Sequence, residues 1–122
     1  MRILLVEDND DLRVEIAQYL ARRGHVVTAC GSLAEARASL ARMISAEPPE
    51  TVVCDVNLPD GNGVEFCCEA SPMLPAARWV LMSGGHEPEA AEERLARIPG
   101  PQRWLMVDKP MSMRRLAEAL TP

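Results

Sequence analysis

Aromatic side chains are scarce in this chain: Phe, Trp and Tyr make up 3% of its 122 residues, while 48% are hydrophobic. The core must therefore be built from Leu, Val, Ile, Ala and Met rather than from stacked rings. Histidine is limited to His25 and His86, and Cys30, Cys54, Cys67 and Cys68 show no CxxC spacing. These are too few and too scattered for a zinc site. The cysteines read instead as small buried hydrophobes in a reducing compartment. No run reaches the roughly 18 continuous apolar residues of a membrane span. The N-terminus enters an apolar strand at once, without a signal-peptide h-region and cleavage site. The expectation is a cytoplasmic protein with no membrane contact. Lys and Arg (13) are outnumbered by Asp and Glu (18), giving a net charge of −5, and the basic residues form no stripe. That balance argues against direct nucleic-acid binding. Repeats, low-complexity tracts and internal linkers are absent, so residues 1–122 read as one domain with one core.

What is present is a regular alternation of apolar runs and amphipathic stretches. Arg2 to Val6 reads as a strand, and Asn9 or Asp10 caps a helix with Leu12, Ile16 and Leu20 on one face. That helix stops at Gly24, before a second strand over His25 to Ala29. Ser32 and Glu35 form a capping box for an Ala-rich helix reaching about Ile44. After the Pro48-Pro49 break comes a third strand, Thr51 to Cys54, with Asp55 at its exit. Asn57 to Gly63 is dense in turn formers and reads as a loop too long for a tight hairpin. A third helix runs from Val64 to about Ala70, a fourth strand from Arg78 to Met82, and a fourth helix from Pro88 through Ile98. Trp104 to Val107 is the fifth strand, and Ser112 caps a last helix carrying Met113, Leu116 and Leu120. Five strand–helix alternations predict an α/β fold: a parallel sheet with helices on both faces and right-handed crossovers.

Three of the apolar runs have the length and content of strands buried on both faces. Each ends in charge: Glu7-Asp8 after the first, Asp55 after the third, Lys109 after the fifth. Open α/β sheets place their ligand sites outside the carboxyl ends of their strands. Carboxylates converging there repel one another unless a dication and a lysine share the site. That is the chemistry of a magnesium-dependent phosphoryl acceptor.

Taken together, Leu5-Val6-Glu7-Asp8-Asn9, Asp55-Val56-Asn57-Leu58-Pro59-Asp60-Gly61-Asn62-Gly63, Leu81-Met82-Ser83-Gly84 and Asp108-Lys109-Pro110 resemble the receiver domain of two-component response regulators. The resemblance spans essentially the whole chain. It implies a flavodoxin-like, doubly wound five-stranded sheet of order 2-1-3-4-5, an order taken from the family. It also implies a phosphoryl group passing to Asp55 from a histidine kinase or histidine phosphotransfer protein. The matching positions imply Mg²⁺ held by Asp8, Asp55 and the Asn57 carbonyl, with Glu7 acting largely through water. Lys109 would supply a positive charge to the phosphoryl oxygens, and Ser83 a hydroxyl that swings in to donate to them. Such a module catalyses its own phosphorylation and dephosphorylation and has no separate enzymatic activity.

This chain departs from the family pattern in two places. Met106 stands where receivers commonly carry an aromatic switch residue, and Pro99-Gly100-Pro101-Gln102-Arg103 replaces a common Gly-Ala pair before the fifth strand. Methionine is flexible and apolar and can fill the space that Ser83 leaves. Receivers usually signal through the surface of the fourth helix, fifth strand and fifth helix. Here that helix is Ala- and Glu-rich, with mainly Leu95 and Ile98 to bury, and the downstream target or output domain is not legible. The resemblance fits a stand-alone receiver and equally a piece of a hybrid histidine kinase or larger regulator. Three other readings fit these residues less well. A Mg²⁺-dependent aspartyl-phosphate phosphatase usually has a second acid where Asn57 stands, and needs a cap. A flavin phosphate would be repelled by Glu7-Asp8-Asn9-Asp10-Asp11. A phosphorylation-independent pseudo-receiver is disfavoured by the complete set Asp8, Asp55, Ser83 and Lys109.

Overall fold

The computed structural model of the chain describes residues 1–84, 89–109 and 112–121. Its strands are β1 (Arg2–Val6), β2 (Val26–Cys30), β3 (Thr51–Asp55), β4 (Arg78–Ser83) and β5 (Trp104–Asp108). Between and after them lie α1 (Asp10–Arg22), α2 (Leu33–Ile44), α3 (Gly63–Ala70), α4 (Glu89–Ala96) and α5 (Met113–Leu120). Within this five-stranded sheet every neighbouring pair is parallel, in the order β2-β1-β3-β4-β5. The order reverses between β1 and β3, which is where an open α/β sheet has a crevice for ligands.

Side-chain alternation along the strands divides the core between two faces. Ile3, Leu5, Val53, Val80, Met82 and Val107 pack with Ile16 and Leu20 of α1 and Leu116 and Leu120 of α5. Leu4, Val6, Val52, Cys54 and Leu81 pack with Leu33 and Leu40 of α2, Phe66 of α3 and Leu95 of α4. Among the described residues one aromatic pair stacks, Phe66 against Trp79, edge to face, with centroids 5.6 Å apart. Aliphatic packing therefore does supply the core, as composition required.

Helix starts follow their caps. Asn9 Oδ1 accepts from the Leu12 N–H at 2.9 Å, Ser32 Oγ from Glu35 at 3.2 Å, and Ser112 Oγ from Arg115 at 3.1 Å. The Ser32 box closes one residue further out than expected, because Glu35 Oε2 accepts from Gly31 N–H at 2.8 Å. After α1, Gly24 takes φ +90°, the left-handed conformation in which a Cβ is disfavoured.

Four expectations need correction. β5 is not buried on both faces: it is the sheet's edge strand, with Leu105 37% exposed and Val107 its one buried residue. The segment after Asp55 does close a tight hairpin. Asn57–Leu58 pairs antiparallel with Gly61–Asn62 around Pro59-Asp60. β2 begins at Val26 rather than His25. α4 ends at Ala96, and Arg97 and Ile98 donate to the carbonyls three residues back, because Pro99 disfavours helical geometry in the residue before it. Expectations for His86, Pro88 and Pro110 lie outside the described residues.

Candidate functional site

β1, β3, β4 and β5 end side by side, and their terminal residues form one polar cluster. Glu7 follows β1 and is fully buried, its N–H donating to the Cys30 carbonyl across the sheet at 3.0 Å. Asp55 closes β3 and is 6% exposed, and Ser83 closes β4 and is 4% exposed. Lys109 follows β5, and its N–H donates to the Ser83 carbonyl at 2.7 Å. That bond sets the stem of Lys109 beside β4, so that its ammonium reaches back over the sheet end. Nζ donates to Glu7 Oε1 at 2.6 Å and to Asp55 Oδ2 at 2.9 Å.

Asp8 is exposed, yet Glu7, Asp8 and Asp55 can each offer a carboxylate oxygen within 4.8 Å of the others. Such a set of hard oxygen donors could hold a divalent cation. Asn57 is exposed beyond Asp55, and its N–H donates to Asp55 Oδ1 at 3.2 Å. Met106 is half-buried and pairs in register with Leu81, on the face that holds Ala91 and Leu95 of α4. The structure thus gathers Glu7, Asp8, Asp55 and Lys109 directly, with Asn57 and Ser83 alongside, and sets Met106 apart beneath α4.

Charge in this cluster is finely divided. Burial pushes the Glu7 carboxyl above its ordinary range and the nearby Asp55 adds to the rise, against the hydrogen bond from Lys109. Burial works against the Lys109 ammonium, but the bonds to Glu7 and Asp55 outweigh it and hold its pKa above the usual lysine value. Among the described residues the Lys109 ammonium thus stands with three carboxyl groups, a shortfall that a dication would cover. Cys54, next to Asp55, is sealed in the core, where burial first and Asp55 second push its thiol far up, so it stays protonated.

Several supporting residues carried no recognised signal. Arg13 Nη1 donates to the Glu7 carbonyl at 2.9 Å while Nη2 pairs with Asp10 at 2.6 Å, bracing the β1–α1 turn from outside. Asn62 caps α3, accepting from Val64 at 2.7 Å; an Asn three residues before Glu65 is a cap pattern that could have been read. Asp60 accepts from the Leu33 and Ala34 N–H groups, both at 2.9 Å, so the hairpin after Asp55 also caps the start of α2. That contact spans 27 positions and has no local signature. Gly63 is required by close approach, since a Cβ there would sit 2.2 Å from the Asp55 carbonyl oxygen.

Comparison with known proteins agrees with this arrangement. A family model described as the response regulator receiver domain matches residues 3–121. The DNA-binding transcriptional activator DevR/DosR of Mycobacterium tuberculosis is 33% identical over 92 residues, covering 74% of this chain and 41% of that protein. A CheY-like receiver domain protein from Methanospirillum hungatei superposes with TM-score 0.80 at 23% identity, over 96% of this chain and 87% of that one. The receiver domain of the hybrid histidine kinase CckA superposes with TM-score 0.77 at 25% identity, over 97% and 94%. The chain spans about two fifths of the length of the curated relatives it matches first.

Proposed function

Because this chain belongs to the response regulator receiver domains of two-component signalling, we propose that Asp55 is its phosphoacceptor, charged by a histidine kinase or histidine phosphotransfer protein. The observation that carries this reading is the Lys109 ammonium bridging Glu7 and Asp55 beside the exposed Asp8. An Asp55 carboxylate oxygen attacks phosphorus, the P–N bond to imidazole breaks as the new P–O bond forms, and an acyl phosphate results. Asp8, Asp55 and the Asn57 carbonyl would hold Mg²⁺ as hard oxygen donors, with Glu7 as a further carboxyl group beside them. When bound, the dication offsets the negative charge on the phosphoryl oxygens.

Lys109 exchanges its bond to Asp55 for one to a phosphoryl oxygen, which keeps its charge compensated throughout. Ser83 turns its hydroxyl toward a second phosphoryl oxygen, and Met106 refills the volume under α4. The α4–β5–α5 surface then favours a downstream protein target. The same residues support self-phosphorylation from small donors and self-dephosphorylation. Its setting is a cytoplasmic phosphorelay, with residues 1–122 acting as one receiver unit and no direct nucleic-acid or membrane contact.

Incubation with acetyl phosphate and Mg²⁺ should add one phosphoryl group by intact mass. Asp55→Asn should take up none. An equal label on that variant would reassign the acceptor.

A further inference from the structure

The hairpin that follows Asp55 is too small to hold its own shape. Its strands have two residues each, Asn57–Leu58 against Gly61–Asn62, and of residues 57–62 only Leu58 is not exposed. A lone two-stranded hairpin is marginal in water even when it is longer. The base is fixed by Gly63, whose N–H donates to the Val56 carbonyl at 2.7 Å, and by the Asn62 cap of α3. The tip is fixed by a different element. Asp60 Oδ1 and Oδ2 accept from the N–H groups of Leu33 and Ala34, the first two residues of α2. These bonds, Leu33 first, hold the Asp60 carboxyl below the ordinary carboxylate range, so it stays ionised at neutral pH. Gly61 lies directly on α2, since a Cβ there would stand 2.7 Å from Leu33 Cδ1.

α2 can begin without Asp60. Ser32 Oγ takes the Glu35 N–H, Glu35 returns a bond to Gly31, and water can satisfy the first N–H groups of an exposed helix start. What the Asp60 bonds add is a fixed relation between the end of α2 and the hairpin tip. Asn57 stands on the first strand of that hairpin, and its N–H donates to Asp55 Oδ1.

We propose that Asp60 is a positioning residue for the acceptor site. By anchoring the hairpin tip on α2 it sets the place of Asn57, and through Asn57 the orientation of the Asp55 carboxylate and the affinity for Mg²⁺. The Mg²⁺ effect rests on the reading of Asp55 and Asn57 given above; the hold on Asn57 does not. Coupling between two equilibria is reciprocal, so a dication at Asp55 also tightens the start of α2, 27 positions before Asp60.

The test compares Asp60→Ala with Ser32→Ala. Both weaken the start of α2, but Ser32→Ala leaves the hairpin tied to it. Asp60 is exposed, so its variant keeps the core intact. In metal-free protein, amide exchange at Asn57 should quicken about fivefold in Asp60→Ala and keep the wild-type rate in Ser32→Ala. Mg²⁺ titration followed by the Asn57 amide resonance should give a Kd about fivefold higher in Asp60→Ala and an unchanged one in Ser32→Ala. Asp60→Asn, which keeps one acceptor oxygen, should fall between wild type and Asp60→Ala. In wild type, saturating Mg²⁺ should slow exchange at Leu33 and Ala34 by the same factor. Asn57 exchange in Asp60→Ala that matches Ser32→Ala overturns the proposal, and so does a matching Mg²⁺ affinity where the wild type binds the ion. A wild type that binds no Mg²⁺ would overturn the metal reading instead, and the Asn57 exchange rates would still decide the role of Asp60.

Discussion

At the scale of single residues, one ammonium holds two carboxylates together at the ends of β1 and β3, and its removal changes the charge state of what remains. In Lys109→Met the wholly buried Glu7 keeps Asp55 as a neighbour and loses its counter-charge. Stranding a buried ion costs about 3–5 kcal/mol. Lys109 is 24% exposed, and Glu7 can take up a proton, so about 1–3 kcal/mol is expected near pH 8. The direction with pH follows from Glu7. Its folded-state pKa lies above the ordinary carboxylate value, so the folded chain binds the extra proton and stability falls as pH rises through that window. Without Lys109 the window extends upward, and urea titrations should show the variant recovering stability as pH drops toward 5. In the wild type, the raised Lys109 pKa supplies stability below the ordinary lysine value of about 10.4, lost as pH climbs through the folded value. A wild-type-to-variant difference that stays constant from pH 5 to 9 would contradict this coupling.

At the scale of elements, α4 is held more firmly than its composition suggests. Beyond Leu95 and Ala91, its Arg94 forms an ion pair with Glu65 of α3, and the Cys68 thiol lies 3.8 Å from the Arg94 carbonyl. Both charged partners are about half exposed, so the pair contributes at most about 1 kcal/mol. That is small enough for a switch to overcome. With a phosphoryl mimic on Asp55, amide exchange should change across residues 91–98 and 104–107, and Arg94→Gln should raise exchange in 91–96 before any mimic is added. Changes confined to residues 55–63 would remove α4 from the output path. The strands, helices and most caps were legible because each rests on a local pattern: apolar runs, a Ser or Asn before a periodic stretch, Gly24 after α1. The hairpin at Asn57 and the edge position of β5 were not. Both depend on neighbours distant in sequence: Leu33 and Ala34 for Asp60, and for Leu105 the lack of a strand beyond β5 among the described residues. Within the site, Glu7, Asp8, Asp55 and Lys109 were legible because strand exits are, whereas Arg13 acts through a backbone carbonyl and leaves no trace in residue type.

At the scale of the whole molecule, three carboxyl groups stand close enough at one end of the sheet to repel one another, and a bound dication would relieve that repulsion. Melting temperature should rise with added Mg²⁺ as the stabilisation grows with RT ln(1 + [Mg²⁺]/Kd). Asp8→Asn should lose most of that rise, and it should melt no lower than wild type without the ion, because one repelling charge has gone. An undiminished rise in the variant would move the ion elsewhere. The parallel topology has a further consequence. Lys109 is separated from Glu7 by 102 positions and from Asp55 by 54, and β5 joins the sheet only through β4. A chain still emerging from the ribosome presents Asp55 long before any ammonium can stand beside it. Under the function proposed above, a chain that stops short of Lys109 should take up no phosphoryl group on Asp55 from acetyl phosphate, which intact mass would check.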